Sequence, residues 1–318
     1  MKQRLKEFAK NLLFRVPEEL KKNHVTFSPA QQAKLRESIE RNYLDRGNTK
    51  ARLSPEDYAA SLDGQTLHRT HYNRTRIAPW LNGIRPLAGA KILEVGCGTG
   101  CSSLTLAEQG ARLTGIDVDA GALQVARDRL ALANLRADFH SLNGNQISSL
   151  GVASFDFVIF YACLEHMTVE ERLASLRQGW DALLPGGKLV ILETPNRLWF
   201  YDSHTAGLPF FDWLPDDLAY RYSKFSQRAN FRDRYREIDD EQMLHFKRWG
   251  RGMSYHELDL AICPVSELRI LSYLNAVDRT FLVKHGWTGL RYRNVLRTVS
   301  SVHPALLQPY LDLVIEKQ

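Results

Sequence analysis

The run Ile92-Leu93-Glu94-Val95-Gly96-Cys97-Gly98-Thr99-Gly100 constrains this chain more than any other stretch. An apolar, β-prone segment breaks into three alternating glycines, and Ser102 to Gly110 then carries apolar residues at helical spacing. The pattern predicts a strand, a tight turn and a helix. Glycine reaches positive φ without steric cost and lets a ligand press on the backbone, so such a turn presents peptide N–H groups at a helix N-terminus. That arrangement suits a cofactor. Cys101 stands where the dinucleotide fingerprint needs its third glycine, so the spacing is GxGxG instead.

Beyond the turn, strand and helix patterns alternate. Arg112 to Asp117 reads as a second strand ending in an acid about 20 residues past the turn, where a carboxylate can accept both hydroxyls of a ribose. Ala120 to Leu132 reads as a helix and Asp138 to His140 as a short strand, with Asn143 and Asn145 in a polar loop. Either amide can reach an adenine edge or simply form a turn. Phe155 to Phe160 is a buried strand opening into Tyr161-Ala162-Cys163-Leu164-Glu165-His166-Met167, a loop placed where open α/β sheets carry their chemistry. Val169 to Leu183 is helical, Pro185-Gly186-Gly187 turns, and Lys188 to Glu193 is a fifth strand. The alternation predicts a doubly wound, mostly parallel α/β sheet.

Before the turn, Ser28-Pro29 and Ser54-Pro55 mark two helix starts, and Leu67 to Leu81 forms a basic helical segment able to serve as a lid. Residues 1–16 place Leu5, Phe8, Leu12, Leu13 and Val16 on one stripe with lysines and arginines elsewhere on the helix. Such a helix can lie on an anionic membrane or dock on its own protein. After Pro195 the pattern changes, and aromatics interleave with arginines to about Gly252, which predicts an inserted substrate cap, with a purely structural embellishment or a stacking surface for single-stranded nucleic acid as the alternatives. Ser254 to Ile262 resumes a helix, and Leu268 to Leu271 and Leu311 to Glu316 complete the sheet. The expected organisation is a helical region over 1–85, a cofactor-binding core over 86–195, the insertion over 196–252 and the completion of the sheet over 253–318.

Charge is unevenly spread: 17 basic against 9 acidic residues in 1–90, 8 against 12 in 91–195, and 17 against 15 in 196–318. The N-terminal excess fits either a solvated face or an anionic partner. No stretch reaches the roughly 18 apolar residues of a membrane span, and no secretory signal is expected, which points to the cytoplasm with membrane association through residues 1–16 as the open alternative. Cys97, Cys101, Cys163 and Cys263 show no paired spacing, so no disulfide or zinc frame is expected.

Together, Ile92 to Gly100, Asp117, Phe155 to Met167 and Leu184-Pro185-Gly186-Gly187-Lys188 resemble the class I S-adenosylmethionine-dependent methyltransferases. Over roughly Arg76 to Arg197 the chain is most similar to the O-methyltransferases of ubiquinone biosynthesis, while its terminal parts do not match. The resemblance implies a Rossmann-like, seven-stranded sheet with S-adenosyl-L-methionine as cofactor. It places Gly96 in the cofactor turn, which Gly98 and Gly100 complete, Asp117 on the ribose and Tyr161 on the adenosine side, where the loop amide of Asn143 is the candidate read from the residues themselves. Arg76 falls at the methionine carboxylate, where a guanidinium fork binds both oxygens. Glu94 orients the turn and the amino end of the cofactor. The quinone enzymes are associated with a divalent metal on an acid followed three residues later by a Glu-His pair. Here Glu165 and His166 are kept but Ala162 replaces the acid, so no metal is expected.

The function implied is O-methylation of a small molecule, a glycan or a lipid-linked precursor. His166 is the first candidate general base and His204, in the insertion, the second. Two alternatives remain open at this level: an RNA methyltransferase recruited by the basic N-terminus, and a methyltransferase-fold protein that binds without chemistry. Tyr161-Ala162-Cys163-Leu164 lacks the Asn-Pro-Pro-Tyr-type tetrad of many amino-methylating nucleic-acid enzymes, which makes nucleic acid the weaker reading.

Overall fold

The structure, a computed structural model, describes residues 16–46, 53–151, 154–232, 239–274 and 278–318. The amphipathic stripe expected over residues 1–16 therefore lies outside the described residues, except for Val16. Seven strands, β1 (Lys91–Val95), β2 (Arg112–Asp117), β3 (Asp138–Ser141), β4 (Phe155–Tyr161), β5 (Leu183–Pro195), β6 (Arg269–Tyr273) and β7 (Tyr310–Glu316), form one sheet. Their order is β3-β2-β1-β4-β5-β7-β6, the doubly wound, mostly parallel α/β arrangement expected from the alternation. The chain divides into two compact units, residues 1–143 and 144–318.

In the first unit β1 pairs parallel with β2, and β2 with β3. The helix Cys101–Glu108 follows the glycine turn and is buried along its whole length. The helix Ala120–Leu132 starts at Asp119, whose carboxylate accepts from Gly121 N and Ala122 N. Leu104, Leu123, Ala126, Leu130 and Phe139 pack into one apolar cluster with Cys97. Gly115 makes room for it, because a Cβ there would come within 2.7 Å of the Phe139 ring.

Two helices precede this core. Pro29–Ile39 begins with a full capping box, Ser28 with Gln31, and Pro55–Asp63 begins at Ser54, whose hydroxyl accepts from Asp57 N. Leu35, Ile39, Leu44 and Leu62 bury themselves against Val125. The segment read as a lid is helical, with π-helical turns at Gly64–His68 and Asn73–Ile77. Such turns force one residue too many into the helix and recur at functional sites.

In the second unit β4 is buried at every position and pairs parallel with β5, while β7 runs antiparallel to both β5 and β6. The expected turn at Pro185-Gly186-Gly187 lies inside β5, because Leu183 already pairs with Phe155 before the register shifts. Gly186, at φ 73°, absorbs the extra residues. The helix Val169–Asp181 opens with a Thr168–Glu171 capping box. The sequence reading assigned nothing to the helical stretch Asp278–Val299, which is interrupted at Gly286, φ 67°.

The insertion after Pro195 folds into short helices, including Asp216–Tyr222 and Asp240–Lys247. Phe211, Tyr220 and Phe246 are fully buried and form a local core with Leu208 and Ala219. These rings, within the stretch expected to form a substrate cap, hold the insertion together, whereas Tyr201, Phe210, Trp213 and Phe225 are exposed. Among the described residues no helix is long and apolar enough to cross a membrane.

Phe246→Ala is expected to cost about 3–5 kcal/mol, because it empties the centre of that local core. Phe225→Ala, at a ring 60% exposed, is expected to stay within about 0.5 kcal/mol. Urea unfolding of both variants checks the contrast, and equal losses would contradict the assigned core.

Candidate functional site

The glycine turn is built by its backbone. Gly96, Gly98 and Gly100 adopt φ 76°, 50° and 75°, all in the left-handed region closed to most side chains. Gly96 N and Cys97 N both donate to Ile116 O, at 2.9 and 3.2 Å, and Gly100 N donates to Cys97 O at 3.0 Å. Asp117, the last residue of β2, accepts from Gly98 N at 2.8 Å through Oδ2 and from Asp119 N at 2.9 Å through Oδ1. Its carboxyl is nevertheless raised above the ordinary range by burial. The glycines differ in what surrounds them. A Cβ on Gly100 would sit 2.8 Å from Ala126 Cβ, whereas one on Gly98 would meet nothing within 4 Å. Gly100 lets two helices approach, and Gly98 faces open space.

Beneath the turn, Glu94 is fully buried and accepts from the hydroxyls of Ser102 and, at 2.6 Å, Ser103. Burial pushes its carboxyl up to about 7 against the pull of those two hydrogen bonds. Arg129, also fully buried, donates from Nε to Thr99 O at 2.8 Å and from Nη2 to Gln65 O at 2.9 Å. Thr99 Oγ1 donates to Gln65 Oε1 at 2.7 Å, so the first π-helical turn is stitched to the glycine turn. Gln65 and Arg129 were missed in the sequence. The one available signal was an arginine on the apolar stripe of Ala122, Val125 and Ala126.

Arg76 is half-buried on the second π-helical turn. Its neighbour Arg74 is committed elsewhere, donating to Glu108 from Nε at 2.9 Å and to Val25 O at 2.8 Å. Asn143 is half-buried just beyond β3, where Leu142 N donates to Asp117 O at 3.2 Å. In the second unit Tyr161 ends β4, is buried, and donates to Glu193 Oε1 at 3.4 Å. Ala162 and Glu193 hold φ 48° and 55° without being glycine, a strain of about 1–3 kcal/mol each that clusters at working sites.

The second unit also brings together three residues far apart in the sequence. Glu165 is fully buried, and both His166 Nε2 and His204 Nε2 lie 3.8 Å from its Oε1. The two rings are 5.7 Å apart. Neither oxygen of Glu165 has a hydrogen-bond partner, and burial raises its carboxyl to about 8. Burial, helped by His166, lowers His204. Both histidines read as candidate bases thus belong to one cluster, whose buried member the sequence reading had left aside.

The profile of a family described as "Methyltransferase domain" matches residues 92–187. A ubiquinone biosynthesis O-methyltransferase from Stutzerimonas stutzeri is 33% identical over 118 residues, which are 37% of this chain and 50% of that protein. Its counterpart from Idiomarina loihiensis is 34% identical over 135 residues, 42% of this chain and 54% of that one. Among solved structures, S-adenosylmethionine-bound CalS10, an amino pentose methyltransferase from Micromonospora echinaspora, is 28% identical over 47% of this chain and 58% of that chain, with a TM-score of 0.37.

Residues 92–187 thus match a methyltransferase domain, and over that part the chain is similar to the ubiquinone biosynthesis O-methyltransferases. It spans about half the length of the curated relatives it matches. The glycine turn, Glu94, Asp117, Asn143, Tyr161, Glu165 and His166 all fall inside the matched part of this methyltransferase domain, whereas Arg76 precedes it and His204 follows it. The metal that the resemblance brings with it cannot use Ala162, whose methyl offers no ligand atom. Among the described residues, however, Glu165, His166 and His204 offer ligand atoms that all lie within 4.8 Å of one another.

Gly98→Ala is expected to cost about 1–2 kcal/mol in stability for its left-handed backbone alone. Gly100→Ala carries the same strain plus the overlap with Ala126, about 1–3 kcal/mol more, and equal losses in urea unfolding would contradict the geometry. Glu94 supplies the pH prediction. With its folded pKa near 7 above the ordinary 4.5, its contribution is full below pH 4.5 and is lost as the pH rises through about 7. Glu94→Gln is expected to flatten the fall in unfolding free energy across that window, and an unaltered slope would refute the assignment.

Proposed function

We propose that this chain transfers the methyl group of S-adenosyl-L-methionine to a hydroxyl oxygen of a small molecule, with sugar-bearing and lipid-linked acceptors in the same class. The observation that carries the reading is Asp117, held by Gly98 N at 2.8 Å beside a glycine with open space before it. Each oxygen of that carboxylate uses one lone pair on the backbone and keeps acceptor capacity for a ribose diol. Gly96, Gly98 and Gly100 let the cofactor approach the peptide backbone, Glu94 and Arg129 hold the turn in shape, and Arg76 takes the methionine carboxylate. Tyr161 and Asn143 line the adenosine side.

Methyl transfer from a sulfonium is a direct displacement, so the protein must align the acceptor oxygen with the S–CH₃ bond and take away its proton. His166 suits that second task. Its Nδ1 lies 3.0 Å from Arg248 O, a group that can only accept, so the ring carries its proton on Nδ1 and leaves Nε2 basic. His204, with its pKa lowered by burial, is the second candidate. The exposed rings of Phe210 and Trp213, 4.9 Å apart and tilted by 56°, offer an angled apolar surface on which an aromatic ring or a sugar face can pack.

Calorimetry with S-adenosylhomocysteine tests the reading directly. The wild-type chain is expected to bind it, and Asp117→Ala to weaken binding at least about tenfold, the loss of roughly 1.4 kcal/mol or more of hydrogen bonding. No binding by the wild type would reject the proposal. His166→Ala is expected to leave that affinity unchanged while slowing methyl transfer by about 10²–10⁴-fold, and undiminished turnover would remove His166 from the mechanism.

A further inference from the structure

We propose that Glu165, His166 and His204 form a binding site for one divalent transition ion of Zn²⁺-like softness, with the third ligand supplied by the insertion. The donor atoms are already gathered. Glu165 Oε1 lies 3.8 Å from each of the two Nε2 atoms, and all three ligand atoms fall within 4.8 Å of one another. A separation of 3.8 Å is too long for a hydrogen bond. It is close to the roughly 3–3.5 Å at which two ligands sit when each is about 2.0–2.2 Å from a shared ion.

The placement of protons strengthens the case. His166 Nδ1 faces Arg248 O at 3.0 Å, and a carbonyl can only accept. His204 Nδ1 faces Thr205 Oγ1 at 3.2 Å, while that hydroxyl donates its own hydrogen to Gly250 O at 2.6 Å and therefore accepts from the ring. Both neutral imidazoles then carry their hydrogen on Nδ1, which leaves each Nε2, 3.8 Å from Glu165 Oε1, with its lone pair available. A carbonyl or hydroxyl behind the ring, fixing the tautomer in this way, accompanies metal-ligating histidines. Two nitrogen lone pairs and Oε1 of the buried Glu165 carboxylate are thus gathered together, with His166 exposed and His204 half-buried. A cation between them offsets the repulsion among these donors. Arg172, the nearby guanidinium, is engaged with Glu257 at 3.2 Å and with the carbonyls of Arg251 and Gly252.

The insertion holds His204 in position independently of any ion. Asp202 accepts from His204 N at 2.9 Å, Thr205 N at 2.7 Å and Gly207 N at 3.2 Å, and also from Ala206 N. Arg228 binds the other side of the loop, at Ser203 O, His204 O and Thr205 O. Gly250 allows the ring its close approach, since a Cβ there would stand 2.8 Å from His204 Nδ1. Two imidazoles and one carboxylate favour a borderline ion over the hard, oxygen-seeking Mg²⁺. Three protein ligands leave coordination positions for water or for an oxygen of the acceptor. A cation bound there would act as a Lewis acid on such an oxygen and ease the loss of its proton, while with the site empty the His166 Nε2 lone pair stays available as the base. The site rests on the cluster alone and does not depend on methyl transfer.

The test is titration of the full chain, stripped with a chelator and dialysed, with ZnSO₄ and separately with MgCl₂ by calorimetry. One equivalent of Zn²⁺ is expected, at least tenfold tighter than Mg²⁺. His204→Ala and Glu165→Gln are each expected to weaken Zn²⁺ at least tenfold, while His245→Ala, at an exposed histidine elsewhere, leaves it unchanged. Gly250→Ala keeps all three donors and should weaken Zn²⁺ by displacing His204, which separates loss of the site from loss of a ligand. Circular dichroism shows that each variant is folded, and Co²⁺ in place of Zn²⁺ is expected to give d–d absorption that His204→Ala alters. No Zn²⁺ binding by the wild type, or His204→Ala binding like the wild type, overturns the proposal. Zn²⁺ binding without any S-adenosylhomocysteine binding would leave it standing while removing the proposed methyl transfer.

Discussion

The hydrogen bond from Gly98 N to Asp117 Oδ2, 2.8 Å long, joins the turn after β1 to the end of β2, and the cofactor side of the first unit is organised around it. It requires a backbone at φ 50°, which glycine supplies, and a carboxylate placed by the parallel register of β1 with β2. Everything beneath it serves to keep that turn from moving. Ile116 O takes two N–H groups of the turn, Arg129 grips Thr99 O, and Glu94 gathers the two serines that open the next helix. An anchored carboxylate beside open space costs little reorganisation when a diol arrives, which is the physical content of preorganisation.

The second unit gathers charge differently. Glu94 in the first unit has two hydroxyl donors, whereas Glu165 is buried with neither oxygen hydrogen-bonded and faces two imidazole nitrogens at 3.8 Å. Burying a carboxylate in this way is unfavourable unless a proton or a cation is present. The surrounding chain is nonetheless rigidly fixed, by Asp202 and Arg228 around His204 and by Arg248 O on His166. The insertion contributes the loop that carries one of the two histidines, and its buried rings, Phe211, Tyr220 and Phe246, give that loop a core to rest on.

Legibility in the sequence followed locality. The strand, turn and helix at Lys91–Glu108 were readable because their cause lies within a few residues: apolar alternation, three glycines and a helical stripe. The same holds for Asp117 and for the helix Ala120–Leu132, found with its bounds intact. The start of β5 was misplaced because a turn signal, Pro185-Gly186-Gly187, occurs inside a paired strand, and only the partner Phe155 reveals the pairing. The stretch Asp278–Val299 went unread because its polar and aromatic residues give a weak stripe and Gly286 interrupts it.

By itself the sequence determined the α/β class, the glycine turn and the acid that meets it, because these follow from φ preferences, periodicity and strand length. Only the tertiary structure decided that Arg129 and Gln65 hold the turn, that three rings of the insertion are core, and that His204 joins Glu165 and His166. Those contacts bridge tens of residues, and burial and side-chain direction are properties of the packed chain, which no local pattern encodes. Ala162 illustrates the difference. In the sequence it reads as a missing ligand, whereas in the fold a histidine from outside the matched domain stands beside the remaining pair.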